Sequence, residues 1–151
     1  MNAKTVEWKP KLKTVISFFL ITIGLLGLCY VLVYNYSFMP NGYDVISKEH
    51  YELTVIKYNW LGQTDEIITK DFKDEPNPRV ANYVAKTING LKLKYFLAFF
   101  VITMSAILMF YEVKVKEKKW WKSIFYSGFV VNLLQIIIIA QELDRIQQTL
   151  S

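Results

Sequence analysis

Few side chains in this sequence have the types and spacing that chemistry needs. His50 is the only histidine, and two carboxylates flank it in the run Glu49-His50-Tyr51-Glu52. An imidazole so placed could serve as a general base or a metal ligand. A metal centre wants a second His or Cys, and a hydrolytic centre wants a nucleophile beside its base. The neighbouring sequence supplies neither, so His50 reads as a solvated or strand-edge residue. The one cysteine, Cys29, sits in an apolar run, which excludes an intrachain disulfide and a cysteine-built metal site. Asp65, Glu66, Asp71, Asp74 and Glu75 lack the D-x-D-x-D-G spacing of a calcium loop and read as a solvated face. No catalytic residue, metal site or cofactor is expected.

The second pattern is polar but uncharged. Ser127, Gly128, Asn132 and Gln135 lie at spacings that share one helix face. Ser123 extends that stripe at one end and Glu142 at the other. A polar group unmet in lipid costs several kcal/mol, so the amides need partners. Helix packing or contact with a partner is the expected role, worth about 0.6–2 kcal/mol per bond. A polar pathway is the alternative, but amides without carboxylates make poor ion or proton relays. Gly24 and Gly27 are three apart, one short of a G-x-x-x-G face. Together with Ser17, Thr22 and Cys29 they still give small surface for packing. Thr103, Ser105 and Ala106 do the same in the next apolar segment.

Positioning these residues falls to three apolar stretches. The chain is 53% hydrophobic and 16% aromatic over 151 residues, yet it carries 18 Lys and Arg. Alternating apolar and charged blocks are a membrane signature. Residues 14–34 hold no charge over 21 positions and include 13 Val, Ile, Leu and Phe. Those 13 favour insertion by about 4–8 kcal/mol before polar groups are counted. The run is longer than a signal-peptide core, and no A-x-A-like site follows, so a retained anchor is expected. Residues 95–111 are uncharged over 17 positions and residues 123–140 over 18, both at the short end of the spanning range.

Charge then sets the orientation. Net charge is +5 overall; it is +3 in residues 1–13, zero in 35–94, +3 in 112–122 and −1 in 141–151. The basic excess sits in two short flanks rather than on a folded face, which argues against nucleic-acid binding. Short basic segments resist translocation, so 1–13 and 112–122 are placed in the cytoplasm. In the second of these, Lys114, Lys116, Lys118, Lys119 and Lys122 would meet anionic lipid headgroups, at about 1 kcal/mol per lysine near the surface. Trp120 and Trp121 would lie at the same interface. Lys92 and Lys94, on the side assigned to the exterior, run against the rule and are expected to snorkel outward.

The expected fold is therefore an all-α membrane protein with three transmembrane helices, amino end inside and carboxyl end outside. Residues 35–94 form a small extracytoplasmic α+β region between the first two, and 141–151 a polar outer tail. Within the loop, Tyr51 to Trp60 reads as a strand of imperfect alternation, and Leu61-Gly62-Gln63-Thr64 as a turn. Glu66 to Phe72 would complete a hairpin. Asn77 and Pro78 would start an amphipathic helix carrying Val80, Tyr83, Val84, Thr87, Ile88 and Leu91, with a bend at Asn89-Gly90. Sixty residues without disulfide or metal can barely stabilise a core alone, so the loop should lean on the membrane, the spans or a partner.

The expected function is that of a non-enzymatic accessory or interaction subunit of a larger membrane complex, or an immunity-type protein. Its partners would be the lipid bilayer and either another membrane protein or a second copy of itself. An oligomeric pore or transport component, holin-like in kind, is the alternative.

Overall fold

The computed structural model describes residues 8–49, 51–73, 79–117, 119, 122–124 and 128–151, without the side chains of 8–12, 129 and 130. It is mostly helical, with a small three-stranded sheet. Helix α1 spans Trp8–Tyr30 and passes directly into a π-helical turn, Val31–Asn35. Strands β1 (Tyr43–Glu49), β2 (Glu52–Tyr58) and β3 (Thr64–Asp71) follow, then α2 (Val80–Lys114) and α3 (Phe129–Leu150). The α1 and α2 segments are long and apolar enough to cross a membrane, with mean hydropathies of 2.5 and 2.1.

Helix α2 is the backbone of the molecule. Its 35 residues make a rod about 52 Å long, and it runs through Asn89-Gly90 without interruption. Its first half buries Ala81, Val84, Ala85, Ile88, Leu91, Tyr95 and Ala98, a stripe at spacings of three and four. The sheet lies against this stripe, with Tyr43, Leu53, Val55 and Phe72 completing the core. The second half is the apolar rod that the sequence assigns to lipid. The expected caps Asn77 and Pro78 lie outside the described residues, as does His50.

The sheet is an antiparallel meander, β1-β2-β3, rather than the expected two-stranded hairpin. β1 escapes a period-two reading because its register shifts between Val45 and Ser47, leaving Ile46 without a partner on β2. Ile46 accordingly points outward and is 52% exposed. The uneven alternation of β2 has the same cause. Leu53 and Val55 face the core, and the register with β3 shifts between Lys57 and Tyr58. Burial raises the Tyr43 phenol above its ordinary pKa, and the Glu66 carboxylate adds to the rise.

The β2–β3 turn forms where the sequence places it. Asn59 Oδ1 accepts from the Leu61 and Gln63 amides at 2.9 and 3.0 Å, an Asx-type closure. Gly62 takes φ +74°, and a Cβ there would stand 2.7 Å from Cδ2 of Phe38. The ring of Phe38 in turn packs on Phe99 of α2, with centroids 5.8 Å apart. Two further bonds tie the stretch after α1 to α2. Tyr95 donates from its hydroxyl to the Pro40 carbonyl at 2.6 Å, and Lys92 pairs with Asp44 at 2.8 Å.

The third apolar segment departs from expectation at both ends. Gly128 adopts φ +74°, so α3 begins only at Phe129. It then continues to Leu150, where a loose polar tail was expected. The uncharged part of this helix, Phe129 to Gln141, is 13 residues or about 20 Å, against a hydrocarbon core of about 30 Å. The carboxyl-terminal part is helical because Ile146 and Leu150 are buried, at 3% and 6% exposure, in the core shared with α2 and the sheet.

Gly62→Ala is expected to cost about 1–2 kcal/mol from the left-handed backbone alone, with the Phe38 contact adding to it. Thermal unfolding in mild detergent should show the midpoint fall, while Gly90→Ala, where a Cβ meets nothing within 4 Å, should not lower it.

Candidate functional site: a polar seam between α2 and α3

Helices α2 and α3 run antiparallel, and the side of α3 that meets α2 is polar at one end and apolar at the other. Along α3 it reads Asn132, Gln135, Ile139, Glu142, Ile146 and Leu150, again at spacings of three and four. Opposite Asn132 lies Ser105, opposite Glu142 lies Lys94, and Thr149 shares a cleft with Thr87. The α2 numbers fall as the α3 numbers rise, as an antiparallel helix pair requires.

Asn132 is 2% exposed and donates from Nδ2 to Ser105 Oγ at 3.0 Å. Ser105 itself is 4% exposed, and Ala98, two turns earlier on α2, is also small and buried. Small residues on α2 let the helices approach until the amide can reach. Lower down, Ser123 is fully buried and donates to the Met109 carbonyl at 3.2 Å, one of the carbonyls in the last two turns of α2.

Between the polar and the apolar ends the seam holds an ion pair. Lys94 Nζ pairs with Glu142 Oε1, with side-chain exposures of 37% and 23%. The expected snorkelling of Lys92 and Lys94 is thus replaced by pairing: one lysine to β1, the other to α3. Asp44 is a junction in its own right. Its Oδ2 takes Lys92 and the Ser37 hydroxyl at 3.2 Å, and its Oδ1 takes the Val45 amide at 2.9 Å. Both lysines are thus paired with carboxylates where the apolar half of α2 begins.

Among the described residues, three acceptors in the seam have no donor: Asn132 Oδ1, Gln135 Oε1 and Glu142 Oε2. Lys94, Leu97, Gln135, Ile138 and Ile139 line an apolar cleft of about 190 Å³. This arrangement can hold two helices in register and can accept hydrogen bonds. Among the described residues no three His, Cys, Asp or Glu side chains gather as a metal site would need.

The remaining sequence candidates are distributed differently. Gly128 caps the start of α3 with nothing within 4 Å of a Cβ position, so it lies off the seam. A Cβ on Gly24 or Gly27 would also meet nothing within 4 Å among the described residues. Thr22 and Thr103 bond the carbonyls four residues back, at 2.9 and 2.7 Å, rather than another helix. Lys114, Lys119 and Lys122 are exposed. Lys116 reaches Glu112 at 3.3 Å and lies 5.6 Å from the Tyr111 ring centroid. Ser127, Lys118, Trp120 and Trp121 lie outside the described residues. Sequence reasoning missed Asp44, the Lys94 partnership and the seam roles of Ile146 and Leu150. The one available signal was Glu142, an acid at the end of an apolar run with two unexplained lysines elsewhere.

Lys94→Met should destabilise the pair of helices by about 1–3 kcal/mol, because it leaves Glu142 half-buried without its cation. The exchanged double variant Lys94→Glu with Glu142→Lys should recover most of that loss in detergent unfolding. A double-mutant cycle on Asn132→Leu and Ser105→Ala should give a coupling of about 0.6–1.7 kcal/mol.

Compared with protein-family models, with curated proteins and with solved structures, the chain matches none of them.

Proposed function

We propose that this chain is a multi-pass membrane protein that acts as an interaction subunit, with no catalysis of its own. The observation that carries the proposal is the state of α1. Only 6% of its apolar window is buried, and every described residue from Lys13 to Ile21 is exposed. Val15, Phe19 and Leu20 are each 63% exposed. A continuous apolar surface of this size belongs in lipid or against another protein. Contact with the rest of the chain is concentrated at its far end, where Cys29 and Val33 are buried and Tyr34 meets Phe96. The face with Gly24 and Gly27 is left open for a partner helix, and small residues suit such a contact.

In the proposed arrangement, residues 14–34, 95–111 and 123–140 cross the plasma membrane, with the amino end inside and the carboxyl end outside. Support comes from the +3 charge of each basic flank. It comes also from the pairing of Lys92 and Lys94, which makes lysines at the outer boundary tolerable. The third crossing requires residues before Phe129 as well as the apolar start of α3. The sheet, the first half of α2 and the end of α3 then form one outer module.

Two measurements test this. An impermeant label on intact cells should reach a cysteine placed at Ser151 and not one placed at Lys116. A photo-crosslinker at Leu20 or Ile23 should give a discrete protein adduct in native membranes; adducts with lipid alone would remove the partner role.

The pore reading draws on one observation, the three donorless acceptors in the α2–α3 seam. Liposome conductance that persists unchanged in Asn132→Leu with Gln135→Leu would dismiss a path along that seam.

A further inference from the structure

The β2–β3 turn carries exposed apolar side chains that the outer module does not use. Trp60 is 71% exposed and Leu61 47%. The run Asn59 to Thr64 bears no charge, and the first carboxylate is Asp65. An indole at the tip of a turn facing water is a poor arrangement, since its ring gains nothing there. The turn is nevertheless well built, with Asn59 bonding two of its amides and closing it against Gln63.

Its height in the molecule is set by a chain of contacts. The Gly62 backbone rests on the Phe38 ring, with a Cβ position 2.7 Å from Phe38 Cδ2. Phe38 packs on Phe99 at 5.8 Å. Phe99 lies one turn, about 6 Å, past Tyr95, the first residue of the apolar rod. The interfacial layer on each side of a bilayer is about 5–8 Å thick. Since Phe99 lies on the hydrocarbon side of Tyr95, a turn tied to it through Phe38 sits close to the headgroup–acyl boundary if α2 crosses the membrane. Tyr34, against Phe96 at 6.3 Å, and Tyr36, 74% exposed, lie at the same end of the apolar segments.

We propose that Trp60 and Leu61 form a membrane anchor, inserting into the headgroup–acyl boundary of the outer leaflet and holding the sheet against the bilayer. The inference rests on the reading that α1 and α2 span the membrane. The occupant is lipid rather than protein because the tip is small, uncharged and at bilayer level. It ends in the side chain that favours that layer, where the indole ring is buried and its N–H stays wet.

The test uses the full chain in phosphatidylglycerol–phosphatidylcholine liposomes, with Trp8, Trp120 and Trp121 replaced by phenylalanine so that Trp60 alone emits. The proposal expects blue-shifted emission, strong quenching by lipids brominated near the top of the acyl chain, weak quenching by tails brominated near their ends, and little quenching by aqueous iodide. Emission at the water position with full iodide quenching overturns it. Emission shielded from both quenchers also overturns it, since protein would then cover the tip. Leu61→Cys on a Cys29→Ser background, labelled with an environment-sensitive dye, keeps all four tryptophans and gives the same reading should the first variant misfold. Resistance of the protein to carbonate extraction is measured alongside. Failure there strikes the membrane reading itself, whereas extraction resistance with a water-exposed Trp60 strikes only the anchor.

Discussion

One helix carries two unlike surfaces. The first half of α2 is the core wall of a small α/β module, and its second half is an apolar rod. Nothing breaks the backbone between them, so the change of environment has to be handled by side chains alone. Lys92 and Lys94 stand at that change. A bare ammonium there would be stranded beside apolar surface, and breaking a buried pair exposes that cost in full. Pairing Lys92 with Asp44 and Lys94 with Glu142 removes the charges and recruits β1 and α3 to the same level of the rod.

The consequences spread from that level. Asp44 also holds Ser37 and its own neighbouring amide, so the stretch after α1, the first strand and α2 share one carboxylate. Tyr95 fastens Pro40 just below. The sheet needs these ties. Three short strands without a disulfide bury too little on their own, and here one face of the meander gains α2 and the end of α3 as a floor. The π-helical turn after α1 leaves Val33 fully buried in that core and turns Tyr34 towards Phe96.

The α2–α3 seam illustrates how a polar stripe becomes structural. Asn132 meets Ser105, and Ser123 meets a carbonyl of α2, while Ile139, Ile146 and Leu150 supply the apolar contacts between and beyond them. In lipid the apolar contacts give little drive, and hydrogen bonds with close packing carry helix association. Outside it, the burial of Ile146 and Leu150 works by water exclusion. In the proposed membrane arrangement the same helix pair would use a different force at each end.

Several features were legible because they depend on local or average properties of the chain. The two long apolar helices follow from uninterrupted hydropathy. The 80–91 amphipathic stripe follows from its period, and the β2–β3 turn from Leu61-Gly62-Gln63. Strand β1 was not legible, since the bulge at Ile46 destroys the alternation by which a strand is read. The helical continuation to Leu150 was hidden for a different reason. Gln141 to Ser151 is polar on average, and only a surface to receive Ile146 and Leu150 makes it a helix worth ordering. Gly128 looks like a packing residue in a continuous helix, whereas its backbone ends up left-handed and interrupts the segment. Which acid pairs with which lysine was equally out of reach. Asp44 and Lys92 are 48 positions apart, as are Lys94 and Glu142, and no periodicity links residues at that distance. Composition and spacing decide what each segment can tolerate as its surroundings; only the folded arrangement decides which partner meets it there, because that choice is made by distance in space.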